Sequence, residues 1–251
     1  MIKLYQGDCL EIMQQLIDRQ IKVDAIITDP PYGTTACKWD SIIPFNEMWN
    51  CINNLIKENG AIVLFGSEPF SSALRMSNIN MYRYDWIWKK NSFANFAQAP
   101  YMPLKIYETI SVFSFGTIAE NSKNRMCYYP QNIQSCHKVI KYKKTSEDFR
   151  PNRKAQTNIV QTNTNYPKNI LEFEKDGKIH PTQKPISLME YLIKTYTNEN
   201  ETVLDFTMGS GSTGIACKNL NRNFIGIEKD EKYFKIAKER IENTHVKRGI
   251  L

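Results

Sequence analysis

Late in this chain, Thr202–Asp205 reads as a short buried strand that runs into a glycine-rich loop ending at Gly214, and a helix over 215–220 follows. Gly209, Gly211 and Gly214 fit G-x-G-x-x-G in the strand–turn–helix setting that gives this pattern its meaning. Glycine lets the backbone turn sharply and lets a ligand approach without meeting a Cβ. A second strand, Asn223–Glu228, then ends in a carboxylate, where a ribose diol would be held. Ile215 stands where a Walker loop carries its lysine, so this is not a P-loop. Taken alone, the unit suits a dinucleotide site. After the loop there is room for only one strand and a helix over 231–243. A doubly wound sheet needs more strands, so the rest must come from the N-terminal part of the chain.

The best N-terminal candidate is the apolar run 23–28, which reads as a buried parallel strand and ends at Asp29-Pro30-Pro31-Tyr32. Two consecutive prolines fix φ and remove two backbone donors. What remains is mostly acceptors, namely the Asp29 carboxylate and the Pro30 and Pro31 carbonyls, beside the aromatic plate of Tyr32. A planar amino group such as N6 of adenine suits that set, because it offers two N–H donors and a ring to stack. Ligands of doubly wound sheets bind beyond the carboxyl ends of the strands, near the switch point. Both loops are therefore expected to face one crevice, with a nucleoside cofactor at one and an amino-bearing acceptor at the other. Further strands are expected over 60–65 and 109–113, an edge strand over 84–89 carrying Trp86 and Trp88, and helices over 47–57 and 188–195.

Four motifs in order carry a resemblance. These are Gly7-Asp8-Cys9-Leu10-Glu11 after an N-terminal strand, Asp29–Tyr32, His180-Pro181-Thr182-Gln183-Lys184-Pro185, and the loop Asp205 to Gly214. Together they resemble the β-class amino DNA methyltransferases that use S-adenosyl-L-methionine. The resemblance implies an α/β fold with a doubly wound, mixed but mostly parallel sheet, circularly permuted from the usual Rossmann-like order. It implies a catalytic half over 1–115, a target-recognition insert over 116–175 and a cofactor-binding half over 176–251. Asp8 and Cys9 would lie beside the cofactor's adenine, and Glu228 would accept from its ribose. Asp29, Asp205, Phe206, Gly209, Ser210, Gly211 and Ser212 would line its path. His180, Pro181, Thr182 and Lys184 would close over its methionine end.

The catalytic set would be Asp29, Pro30, Pro31 and Tyr32, acting on an adenine flipped out of double-stranded DNA. Ser commonly stands at the position of Asp29 in the family's cytosine enzymes, so Asp29 favours adenine over the alternative, cytosine N4. Protein-glutamine methyltransferases resemble N-P-P-Y enzymes with the glycine loop first, the reverse of this order. A nicotinamide oxidoreductase would explain the glycines and Glu228 but not Asp29–Tyr32. A DNA-binding protein without catalysis is a further alternative, against which the intact motifs speak. Trp39 and Asp40 are expected in a loop over the target base.

Charge gives independent support for a polyanionic partner. Between residues 121 and 170, ten basic residues face only Glu147 and Asp148, a local +8 in a chain whose formal net charge is +7. Such a block predicts salt-sensitive binding to a polyanion. The expected DNA-binding residues are Lys138, Lys141, Lys143, Lys144, Arg150, Arg153 and Lys154. Asn, Gln and Thr are frequent over 152–165 and suit base edges in the major groove. The competing reading is a solvated loop. Cys127, Cys136 and His137 have no zinc-type spacing, so no metal is expected. Six cysteines without regular spacing, and no apolar run near spanning length, predict a cytoplasmic protein with no membrane partner. The resemblance also allows a homodimer and a cognate restriction endonuclease.

Overall fold

The computed structural model describes residues 1–34, 40–93, 96–143, 156–174 and 183–244. They form two compact units, one of residues 1–129 and 169–251 and a smaller one of residues 130–168.

The larger unit is built on an eight-stranded sheet. In chain order its elements are β1 (Ile2–Gln6), α1 (Cys9–Asp18), β2 (Val23–Thr28), α2 (Phe45–Leu55), β3 (Ile56–Gly66), α3 (Phe70–Ser77), β4 (Tyr82–Lys89) and β5 (Tyr107–Phe113). After the smaller unit, which contributes β6 (Gln134–Lys143) and β7 (Gln156–Thr164), come β8 (Ile170–Glu172), α4 (Ile186–Tyr196), β9 (Thr202–Asp205), α5 (Ser212–Asn219), β10 (Asn223–Glu228) and α6 (Glu231–Glu242). The strand order is β1-β10-β9-β2-β3-β5-β4-β8. Only β5 is antiparallel to its neighbours. The doubly wound, mostly parallel sheet read from the sequence is the one observed.

Side-chain alternation sorts the sheet into two apolar layers. Ala25, Ile27, Ala61, Val63 and Phe65 pack with Leu188, Leu192 and Ile193 of α4 and with residues of α5 and α6. Ile26, Ile62 and Leu64 face the other way, onto Met13 and Leu16 of α1, Ile52 and Leu55 of α2 and Leu74 of α3. Both faces are covered, which is why the strands read as continuous apolar runs. Each fully buried Ile or Leu contributes roughly 1.5–3 kcal/mol. After β2 the chain passes to the α1–α3 layer, whereas after β9 it passes to the α4–α6 layer. The switch point therefore lies between adjacent strands β2 and β9.

Two elements differ from expectation. Helix α2 stops at Leu55 and Ile56 is extended, with φ −74° and ψ 142°. Ile56 pairs with Val23 and is buried, so sheet pairing overrides the helical apolar spacing there. Strand β4 is not at the edge, because β8 pairs parallel to it and the Trp88 indole N–H donates to the Phe173 carbonyl at 3.0 Å. Residues 116–129 pack on the sheet unit. Met126 is buried there, Cys127 N–H donates to the Asn59 carbonyl at 2.9 Å and Tyr129 N–H to the Thr195 carbonyl at 2.7 Å. In the smaller unit, β6 and β7 form an antiparallel ribbon whose register pairs Lys138 with Gln161, Lys141 with Asn158 and Lys143 with Gln156.

Candidate active site

The carboxyl ends of β2, β9, β10 and β4, together with the turn after β1 and the start of antiparallel β5, border one cavity of about 860 Å³ in the larger unit. Asp8, Cys9, Asp29, Pro30, Pro31, Tyr32, Lys184, Asp205, Phe206, Gly209, Ser210, Ser212 and Glu228 all line it. The two loops separated by most of the chain thus face the same crevice, as the switch-point argument requires.

At the β2 end, Asp29 is engaged on both oxygens. The Tyr32 hydroxyl donates to Oδ1 and the Lys184 ammonium donates to Oδ2. Tyr32 also packs on Phe70, with ring centroids 5.1 Å apart and planes tilted by 30°. Lys184 is 8% exposed and contacts a second carboxylate, Glu108 Oε2, at 3.2 Å. Glu108 in turn accepts from Lys90 on Oε1. Two carboxylates and two ammonium groups therefore balance one another by direct contact in a largely buried corner. Burial pushes the Asp29 carboxyl up, against the pull of Lys184. Burial would lower Lys184, but Asp29 and Glu108 together raise it and keep it cationic. Glu108 is held below its ordinary value despite burial, by Lys184 and then Lys90.

At the β9 end, Asp205 stitches three elements together. It accepts from Thr28 Oγ1 at 2.6 Å, from Thr213 Oγ1 at 2.5 Å and from Thr207 N–H at 3.2 Å. Burial pushes its carboxyl up to about 6, because these donors offset desolvation only in part. Thr207 Oγ1 donates to the Asp29 carbonyl at 3.1 Å, linking the two loops directly. Gly209 turns at φ +52°, and a Cβ there would meet nothing within 4 Å, so the backbone borders open space. Ser212, at the start of α5, has a buried hydroxyl with no partner among the described residues. An orphaned hydroxyl at a helix N-terminus suits an anionic ligand group such as an amino-acid carboxylate.

The remaining expected residues fall in three ways. Asp8 lines the cavity while capping α1 through Leu10 N–H at 3.0 Å and pairing with Lys229 at 3.1 Å. Glu228 accepts from Gly209 N–H at 2.9 Å and from Asp230 N–H at 2.8 Å. One donor per oxygen leaves further lone pairs for a diol. Gly211 is not among the lining residues. It turns at φ +83°, and a Cβ there would come within 3.0 Å of Ala237 and Ile241, so it lets the loop seat against α6. His180, Pro181 and Thr182 lie outside the described residues, as do Lys144, Arg150, Arg153, Lys154 and Trp39. Lys138 is exposed on β6. Asp40 is buried and accepts from Gly33 N–H and Thr34 N–H, both at 2.9 Å, fixing the turn after Tyr32.

Lys90, Glu108, Thr28 and Thr213 escaped the sequence reading. Thr28 carries no signal beyond its adjacency to Asp29, and Thr213 none beyond its place within the glycine loop. Glu108 could have been found as a charge at the start of an otherwise apolar strand, given the knowledge that β5 runs backwards.

Comparisons with known proteins agree with this geometry. A family profile described as DNA methylase, N6_N4_Mtase, matches residues 23–239. The type II methyltransferase M1.MboII of Moraxella bovis is 27% identical, over 92% of this chain and 93% of that protein. The type II methyltransferase M.HpaI of Haemophilus parainfluenzae is 28% identical, over 96% of this chain and 74% of its own. Among solved structures, an M1.HpyAVI–SAM complex superimposes with TM-score 0.67 at 29% identity, covering 96% of this chain and all of the other. The cytosine-N4-specific PvuII DNA methyltransferase, at 14% identity and TM-score 0.66, shares the fold over 98% of this chain and 88% of its own.

Proposed function

Since the chain belongs to the N6/N4 family of DNA methylases, we propose that it methylates N6 of an adenine flipped out of double-stranded DNA, with S-adenosyl-L-methionine as donor. The observation that carries this reading is the Asp29–Tyr32 loop facing the glycine loop across one cavity. The cofactor supplies an electrophilic methyl group on a sulfonium. The open backbone at Gly209, the orphaned Ser212 hydroxyl and the spare acceptor capacity of Glu228 fit a nucleoside bearing an amino-acid tail.

The exocyclic amine of adenine is a poor nucleophile because its lone pair is delocalised into the ring. The Asp29 carboxylate and the Pro30 carbonyl accept its two N–H groups, which draws nitrogen toward tetrahedral geometry and localises the pair. Fixed acceptors also stabilise the positive charge that grows on nitrogen as it attacks. A nitrogen–carbon bond would form as the donor's sulfur–carbon bond breaks with its pair leaving on sulfur, and the cationic amine would then pass one proton to water in the cavity. Orientation of amine, methyl and sulfur contributes up to roughly 7–11 kcal/mol in favourable systems. No enzyme nucleophile is required.

Flipping the base costs a few kcal/mol of stacking and pairing. Phosphate contacts from the basic ribbon unit offset that cost in this reading. Asp29 supports adenine over cytosine on the resemblance given above. The test is transfer of labelled methyl from S-adenosyl-L-methionine to unmethylated genomic DNA, with the product nucleosides separated by mass. N6-methyladenine is expected. N4-methylcytosine would overturn the choice of base, and cofactor binding without any methylated nucleoside would overturn the activity.

A further inference from the structure

Beside the Asp29–Tyr32 loop lies the pair Lys90–Glu108, which no motif announces. β5 runs antiparallel to its neighbours, so its first residues sit at the edge where the parallel strands end. Glu108 pairs in register with Trp88, and this places its carboxylate beside Lys90 and Lys184. The Lys184 ammonium lies 5.1 Å from the centre of the Phe65 ring, on an apolar floor at the wall of the cavity.

Lys184 is shared unequally. It donates to Asp29 Oδ2, while its 3.2 Å contact with Glu108 Oε2 is a charge contact without hydrogen-bond alignment. Glu108 already has Lys90 as a hydrogen-bonded partner, so Lys184 is not needed for its neutralisation alone. This asymmetry has a chemical meaning if Asp29 accepts from a base amine. As positive charge grows on that nitrogen, an ammonium bound to the same carboxylate repels it. A buried lysine cannot simply withdraw, because an uncompensated charge in such a place is very costly.

On the reading proposed above, we infer that Glu108 is a positioning residue for methyl transfer. It draws the Lys184 ammonium off Asp29 as the amine nitrogen becomes cationic, and so holds the Asp29 carboxylate in place and free to accept. A small rotation of Lys184 completes its bond to Glu108 Oε2. Asp29, Glu108, Lys90 and Lys184 keep their own charges throughout, so the only charge that changes in the corner is the one growing on the substrate amine.

The groups facing Glu108 are Lys90 after β4, Lys105 before β5, Lys184 before α4, and Asp29 and Tyr32 after β2. Their signs make the test directional. Glu108 raises the Asp29 carboxyl and Lys184 lowers it. Glu108→Gln should therefore move the acid limb of the kcat–pH profile to lower pH, whereas Lys184→Met should move it to higher pH. Glu108→Gln should also lower kcat by about tenfold or more, with S-adenosyl-L-methionine affinity and the KM for DNA within about twofold. Glu108→Asp, which keeps the charge, should recover part of that loss.

An unmoved acid limb and unchanged kcat in Glu108→Gln would overturn the inference. So would a loss confined to thermal stability, or limbs that move the same way in Glu108→Gln and Lys184→Met. Failure of the underlying reading looks different: the unaltered protein would bind the cofactor and methylate no base, and the inference would fall with it.

Discussion

Asp205 shows how one carboxylate can tie together the elements that border a site. Its three donors come from β2, from the turn after β9 and from α5. Its carboxyl is pushed up to about 6, so the folded chain binds that proton more tightly than the unfolded chain. The stability this provides is complete below the ordinary carboxylate range and is lost as pH rises through about 6, a change of about 3 kcal/mol. Asp205→Asn is expected to flatten the dependence of the urea midpoint on pH across that window. An unchanged slope would assign it to other groups. Asp29 is the contrasting residue. Asp29→Ala is expected to lower methyl transfer by at least about 100-fold while DNA affinity, measured by filter binding, stays within a few-fold. Activity that survived this change would rule out the carboxylate as the acceptor of the amine.

The glycine loop is the element on which binding and folding separate. Gly209 and Gly211 both turn in the left-handed region, where a side chain costs about 1 kcal/mol or more. Gly209 borders open space, whereas Gly211 abuts α6. Gly211→Ala should lower the unfolding midpoint more than Gly209→Ala, and Gly209→Ala should weaken S-adenosyl-L-methionine binding more. Calorimetry and thermal melts on the two variants check this. The motif pattern marks both glycines but cannot tell these roles apart, because α6 begins twenty residues beyond Gly211 in sequence and reaches it only through packing. Elsewhere legibility follows locality. β2 and β10 were readable with their bounds because each is an apolar run closed by a turn or a carboxylate. β8 was not, since Ile170–Glu172 is three residues long and becomes a strand only by pairing with β4. Lys90 and Glu108 were invisible for a similar reason: their meeting depends on the reversal of β5.

At the scale of the whole molecule, charge and chemistry are divided between units. The unit of residues 130–168 contains eight basic residues against Glu147 and Asp148, while every described residue expected at the cofactor lies in the other unit. A two-stranded ribbon is a shape the major groove admits. Replacing Lys141, Lys143 and Lys144 with Gln is expected to weaken DNA binding and to reduce the slope of log K against log salt by up to about three, with cofactor affinity unchanged. If neither DNA affinity nor its slope changed, the polyanion contact would lie elsewhere.

The strand order also carries a message about how the protein is made. β1 and β2 leave the ribosome before β9 and β10, yet they never touch as neighbours, because those two strands lie between them. Until those two strands are synthesised, the centre of the sheet is missing and the Asp29 loop has nothing opposite it. Growing chains must therefore wait with unpaired edges on β1 and β2, a slow and aggregation-exposed condition for a sheet of high contact order. The compensation is that no chain lacking β9 and β10 can assemble the crevice, so competence to mark DNA arrives all at once, when those two strands slot into the gap.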